Sequence, residues 1–445
     1  MPRLKKKENK AEKRTRKKMI PLQTVKGTRD VLPPEQFLWD HVLGESRRLC
    51  QSLGFGRIET PIIESSELFE RGVGEMTDIV EKEMFSFETR GEEKVSLRPE
   101  GTAGVVRAYI ENGMSKWAQP VKLYYEGPMF RYEKPQAGRY REFHQFGIET
   151  FGDRCPAVDA QIIYLAWKIF QRAGIKNIAI QINSIGCKEC RTGYKNILTD
   201  YYEMKINKLC SDCRRRLVKN PLRLLDCKEE KCIQAAALAP QIVDCLCTDC
   251  HDHFKNVLEF LDELELPYVL NPNLVRGLDY YTKTVFEVWA GESIGPDAKQ
   301  VVLGGGGRYD GLVQTLGGES VPAVGYSFGV ERVIDQLLRL QIEVEPKIIK
   351  DVFLVQLGDK ARKRILKLFD SLIDEEISVG ESVGRGSIKS QLRIANKFST
   401  KFALIIGQKE ALDDTVIIRD MESGMQEVVT MDKAVCEVKR RLCLK

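Results

Sequence analysis

No run of apolar residues in this 445-residue chain is long enough to cross a bilayer, and none has the form of a secretory signal. The N-terminal stretch also lacks the amphipathic Arg/Ser character of an organellar presequence. Membrane-spanning, secreted and organelle-imported classes are set aside, and a soluble protein of the cytoplasm is expected. No segment repeats, which removes solenoids and propellers. Nor is there a nucleotide fingerprint, since VVLGGGGRYDGLV (301–313) has no following Lys-Ser/Thr and no G-x-G-x-x-G spacing before a helix. That glycine run reads as a strand whose missing side chains let a ligand lie against its backbone, or as a bulged, twisted strand and nothing more.

What is present is enough apolar material, 43% of residues, for two or three domains with real cores. Charge is uneven. Residues 1–18 hold ten Lys or Arg against two Glu, so the chain's +5 less this segment's +8 leaves −3 over the rest. With only Met1, Leu4 and Ala11 apolar, such a segment can bury little surface, so a disordered arm with weak, salt-sensitive affinity for polyanions is expected. A solvated tail without a partner is the alternative.

Beyond the arm, paired prolines at Pro33 and Pro34 open an amphipathic helix with Phe37, Val42, Leu43 and Leu49 on its packed face. Strand-like runs follow one another from Lys94 to Glu149, then a buried helix stopped by Gly174 and a further strand. These strands pair locally more than they alternate with crossover helices. An α+β core over 19–340, an antiparallel sheet flanked by helices, is therefore expected. A helix-rich, cysteine-rich insertion occupies 187–265 of it. After the polar stretch EVEPKIIK, alternating strands and helices over 349–445 predict a compact α/β domain.

Arginine is placed for phosphate chemistry. Arg131, Arg139, Arg276 and Arg332 sit at or beside strand ends among Glu, Gln, Tyr and Phe, where a planar guanidinium can bind phosphate bidentately and stack on a ring.

At this point the sequence resembles a family. FRYEKPQAGRYREFHQFGIE (130–149) is similar to motif 2 of the class II aminoacyl-tRNA synthetases, GFGRIETPIIE to motif 1, and GYSFGVERV to motif 3. SLRPEGTAGVVRAY and LVRGLDYYTKTVFEV resemble the two signature peptides of the histidyl-tRNA synthetase family. The resemblance runs from about Val25 to the C-terminus. It implies a class II core with a C-terminal anticodon-binding domain, ATP-dependent activation of histidine to histidyl-adenylate, and transfer to the 3′-end of tRNA(His). It also implies Mg²⁺ carried by ATP and a homodimer built through the motif 1 region.

Roles follow residue by residue from the same resemblance. Arg131 would hold the α-phosphate and the amino-acid carboxylate, Glu133 would read the adenine edge, and Phe143 and Arg332 would sandwich the adenine. Arg139 would reach the outer phosphates. Arg276 would stand beside the α-phosphate and carry catalysis together with Arg131. Glu149 and Tyr281 match the positions that hold the imidazole, Tyr280 lines the same pocket, and Glu100, Thr102 and Gln145 match those that bind the α-amino group. His144 is given a packing or orienting role. In the last domain, Lys389 and Arg393 would contact tRNA phosphates.

Nine of the thirteen cysteines lie between Cys187 and Cys250. Cys187-x₂-Cys190, a 19-residue gap and Cys210-x₂-Cys213 have zinc-ribbon spacing, so these four are expected to form one Zn²⁺ site. Cys227, Cys232, Cys247 and Cys250, with Cys245, His251 and His253 nearby, offer a second site whose pairing the spacing leaves open. An iron–sulfur cluster is the alternative metal chemistry, and buried thiols without metal the bland one. The family resemblance implies that the insertion leans over the tRNA acceptor stem. Two other functions compete with this one: a catalytically silent synthetase-like regulatory subunit of histidine biosynthesis, and a zinc-dependent nucleic-acid-binding protein. Retention of Arg276, Arg332 and the C-terminal domain argues against the first, and the pocket residues against the second.

Overall fold

The structure, a computed structural model, describes residues 22–74, 77–134, 138–291, 300–344, 351–382, 384 and 387–443. The basic arm expected at 1–18 lies outside the described residues. Two units divide the chain, Met1–Glu343 and Val344–Lys445.

Eight strands form the main sheet of the first unit, in the order Gly56–Arg57, Val121–Phe130, Glu142–Phe151, Ala323–Gly329, Gln300–Arg308, Thr282–Gly291, Ile178–Ser184 and Tyr268–Leu270. Its inner pairings are antiparallel, as expected. The two short edge strands pair parallel, because each is joined to its neighbour by a connection long enough to cross over. The glycine run is a strand, and it is bulged between Val302 and Gly304.

Strand periodicity sorts the side chains onto two faces. On one, Tyr124, Phe146 and Phe328 stack in series, with ring centroids 5.6 and 5.5 Å apart, and Phe170 of helix Pro156–Ala173 meets Phe328 edge-on at 5.1 Å. Helices Pro33–Ser52, Pro156–Ala173 and Val330–Arg339 pack on or beside this layer. Pro33 opens the first of them, where a missing N–H is harmless. Its packed face is centred on Leu38, Trp39, Val42, Ser46 and Leu49, with Phe37 and Leu43 at its margins. The other sheet face carries Phe143, Gln145, Gly147 and Glu149 from a single strand, and helix Thr102–Glu111 packs there through Val105, Val106 and Tyr109.

The insertion is helical, with Lys188–Glu203, Ser211–Lys219, Glu230–Ala236 and Thr248–Glu263 joined by single 3₁₀ turns. Thr248–Glu263 packs along Pro156–Ala173. The second unit holds a five-stranded sheet, in the order Val379–Glu381, Val352–Gln356, Phe402–Ile406, Thr415–Asp420 and Gln426–Thr430, parallel in its first half and antiparallel in its second. Helices Asp359–Asp374 and Met431–Leu442 cover one of its faces, and Ile388–Lys397 the other. Among the described residues no helix is long and apolar enough to cross a membrane.

Candidate active site

The second sheet face floors an open cleft of about 610 Å³. Of the expected residues, Glu100, Arg131, Glu133, Arg139, Phe143, Gln145, Arg276, Tyr280, Tyr281 and Arg332 line it. Thr102 and Glu149 lie just behind the wall, buried.

Glu149 is the centre of a buried network. It is 1% exposed, and Tyr309 donates its hydroxyl to Oε2 while Thr102 (2.8 Å) and Tyr125 (3.5 Å) donate to Oε1. Burial pushes its carboxyl up to about 8, against the pull of the Tyr309 and Thr102 bonds. Room for it depends on a glycine across the sheet: a Cβ on Gly325 would sit 1.7 Å from Oε2. Glu100 takes the backbone N–H groups of Thr102 (2.8 Å) and Ala103 (2.7 Å) at the start of helix Thr102–Glu111, and burial raises its pKa as well. Beside these carboxylates, Oε1 of Gln145 is buried with no hydrogen-bond partner, an acceptor held ready for a donor.

Arg276 enters from the opposite side. It pairs with Glu287, both side chains being 17% exposed, and its guanidinium lies 5.7 Å from the Tyr281 ring centroid. A Cβ on Gly305 would meet Arg276 Nη1 at 2.4 Å, so the glycine strand is bare where this guanidinium crosses it. Arg131 donates from Nε to the Pro99 carbonyl (2.8 Å) and lies 5.2 Å over Phe143. Arg139 pairs with Glu133 at 3.2 Å. Arg332 donates to the Val302 carbonyl (3.1 Å), and burial, then the nearby Arg139 charge, lowers its pKa. The cleft thus combines several guanidinium groups on one wall with a buried carboxylate and tyrosine pocket on the other. Such a wall binds a polyanion and stabilises charge at phosphorus, and such a pocket takes a small polar ring.

His144 points away from the cleft. Its Nδ1 and backbone N–H both meet Glu331, at 2.9 Å, and Trp39 packs edge-on to its ring. It ties the motif 2 strand to helix Val330–Arg339. Tyr125, Tyr309 and Glu287 were missed from sequence. Two signals were available: Tyr309 lies two residues beyond the glycine run, and Glu287 is a lone carboxylate inside an apolar strand. Lys389 and Arg393 are exposed, one turn apart on helix Ile388–Lys397 of the second unit.

The cysteines correct one expectation. Cys187, Cys190, Cys210 and Cys213 do not gather into one site. Cys187 and Cys190 join Cys247 and Cys250, whereas Cys210 and Cys213 join Cys227 and Cys232. The reason is helical: Cys187, Cys210 and Cys247 each cap the N-terminus of a separate helix, which turns the Cys three residues later toward the same point. Chain folding then pairs first with last and middle with middle. Within each group the sulfurs lie within 4.8 Å of one another. The separations Cys187–Cys190 of 3.5 Å and Cys210–Cys227 of 3.9 Å bracket the ~3.8 Å edge of a tetrahedron with ~2.3 Å Zn–S bonds. Cys245 stands outside both groups, His251 is exposed beside Asp252, and His253 bonds the buried Asp159.

The cleft can now be set against known proteins. The family model described as Histidyl-tRNA synthetase matches residues 27–190 and 203–333, and that of the Anticodon binding domain matches 351–441. Histidine–tRNA ligase of Pelotomaculum thermopropionicum is 46% identical over 92% of this chain and 95% of its own length. That of Desulforamulus reducens is 43% identical over 94% and 98%. Apo histidyl-tRNA synthetase of S. aureus superposes with a TM-score of 0.79 at 34% identity, covering 94% of this chain and all of that one. The regulatory-subunit alternative loses its ground, because these relatives match the anticodon-binding unit as well as the core. The chain belongs to the histidyl-tRNA synthetase family of class II synthetases, and its activity is that of a histidine–tRNA ligase.

Proposed function

We propose that the cleft between Glu149 and Arg276 is where histidine is activated, with each lining residue in a defined role. Glu149 and Tyr281 hold the imidazole, beside Tyr280. Glu100, Thr102 and Gln145 receive the α-amino group, and the unpartnered Gln145 Oε1 is the observation that carries this assignment. ATP lies along the arginine wall: Phe143 and Arg332 flank the adenine, Glu133 reads its edge and Arg139 reaches the outer phosphates. Mg²⁺ arrives with ATP as part of the substrate. The histidine carboxylate attacks the α-phosphorus and pyrophosphate leaves in line. Arg131 and Arg276 are the catalytic residues, stabilising the charge that grows on the α-phosphate oxygens. Glu287 fixes Arg276 for this task, so its guanidinium needs no reorganisation.

Transfer to the 3′-end of tRNA(His) follows, with Lys389 and Arg393 on tRNA phosphates. Zn²⁺ is the metal proposed for the insertion, whose two four-cysteine groups would gain folding energy from it. A homodimer through the motif 1 region is inferred from the family resemblance. Thirteen cysteines, all free, support a reducing, cytoplasmic setting. The test is Arg276→Ala: adenylate formation should fall by about 10³-fold while histidine binding weakens by less than about tenfold. Equal losses of rate and binding would mean that Arg276 serves the pocket and not the phosphate.

A further inference from the structure

The insertion touches the peptide that carries the catalytic and pocket residues, and it does so next to each thiol group. Arg191, one residue after Cys190, donates from Nη1 to the carbonyls of Asp279 (3.3 Å) and Tyr281 (2.9 Å). Asn220, just beyond the helix that Cys210 caps, donates to the Asp279 carboxylate at 3.2 Å. Arg223 reaches Asp78 across the cleft mouth at 3.2 Å, and its Nη1 lies 3.3 Å from where a Cβ on Gly277 would be. Cys210 and Cys227 themselves line the cleft, and Cys213 and Cys232 belong to the same apolar cluster as Tyr280 and Tyr281.

We propose that the insertion holds two zinc ions, one in Cys187/Cys190/Cys247/Cys250 and one in Cys210/Cys213/Cys227/Cys232, and that both position the 276–281 peptide for histidine activation. The inference rests on the cleft assignment above and departs from a purely tRNA-facing insertion. Physically, Arg191 lies in the first turn of the helix that starts at Cys187 and Asn220 ends the helix that starts at Cys210, so two tetrathiolate centres would pin both helix ends in addition to their apolar packing. Backbone N–H groups already point at the sulfurs, Cys247 to Cys190 at 3.1 Å and Cys210 to Cys232 at 3.3 Å, the second-sphere bonds a metal thiolate requires. Arg191 and Asn220 are positioning residues that hand this rigidity to Tyr280, Tyr281 and Arg276.

The experiment combines elemental analysis with ATP–pyrophosphate exchange, without tRNA, on the full chain purified under reductant. Two zinc ions per chain are expected, falling to one in Cys250→Ser and one in Cys213→Ser. Arg191→Ala and Asn220→Ala keep both ions, so they remain informative if the cysteine variants fail to fold. Each should raise the histidine KM in exchange by about tenfold while the ATP KM stays within about twofold, and Arg191→Lys should recover part of the loss. One zinc per chain or none, or iron in place of zinc, overturns the two sites. Two zinc ions with unchanged exchange in both metal-retaining variants, and only aminoacylation impaired, overturns the positioning role. Wild-type exchange with histidine is the separate control for the cleft assignment.

Discussion

Replacing Glu149 by Gln should make the ligand-free protein more stable and the enzyme worse, and the size of the first effect can be worked from its surroundings. The unfolded chain gives up this proton near 4.5, whereas the folded cleft keeps it until about 8. The sign follows directly. A carboxyl raised on folding is cost-free below the unfolded value, loses stability as pH rises between the two values, and levels off above the folded one. At about 1.4 kcal/mol per pKa unit, the wild type gives up roughly 1 kcal/mol at pH 5 and roughly 4 kcal/mol at pH 8. Gln has no proton to lose, so its stability advantage should grow by roughly 3 kcal/mol over that range. Tyr309, Thr102 and Tyr125 remain able to bond the amide, which limits side effects. Denaturant unfolding of both proteins at pH 5 and pH 8 measures it. In exchange assays the same variant should lose at least about 10²-fold in kcat/KM for histidine, because a site built to bond a polar ring tolerates a mismatched partner poorly. An advantage that stays flat or shrinks with pH would show that Glu149 is already ionised in the empty cleft, and the burial argument would fail.

Three further outcomes follow from other parts of the structure. Gly305→Ala places a methyl against Arg276 and should lower kcat by about 10²-fold, whereas Gly311→Ala, with nothing within 4 Å, should leave kinetics unchanged. Asp159→Asn weakens a carboxylate that holds the fully buried Arg308 at 3.1 Å and His253 at 3.3 Å, and should cost about 3 kcal/mol in thermal or denaturant unfolding. Reversing the exposed Lys389 and Arg393 to Glu should raise the tRNA KM, more so at low salt, while exchange without tRNA is untouched.

Much of the cleft was legible in the chain because its residues sit in short contiguous peptides. Alternation along 142–151 alone puts Phe143, Gln145 and Glu149 on one face and His144 on the other, so His144 could be set apart from the sequence. The glycine run was read either as a strand bared for a ligand or as a bulged strand; the bulge is there, and at Gly305 the bare backbone meets the Arg276 side chain. Parts that depend on long-range folding were not legible. Tyr309 acts on Glu149, which it meets only across the sheet, and Glu287 meets Arg276 only because the chain turns back between them. The cysteine partners are fixed by how four helices stack, which spacing between C-x-x-C pairs does not encode. The face of the first helix was displaced from the expected one because Trp39 packs on His144, a contact more than a hundred residues away in sequence.

The most direct measurement is ATP–pyrophosphate exchange with each of the twenty amino acids, in the absence of tRNA. Exchange with histidine and no other amino acid is the expected result, because in the proposed assignment the carboxylate and tyrosine pocket selects the imidazole and the arginine wall performs the chemistry without help from tRNA. Folded, metal-replete protein that exchanges with no amino acid, or with several, would contradict it.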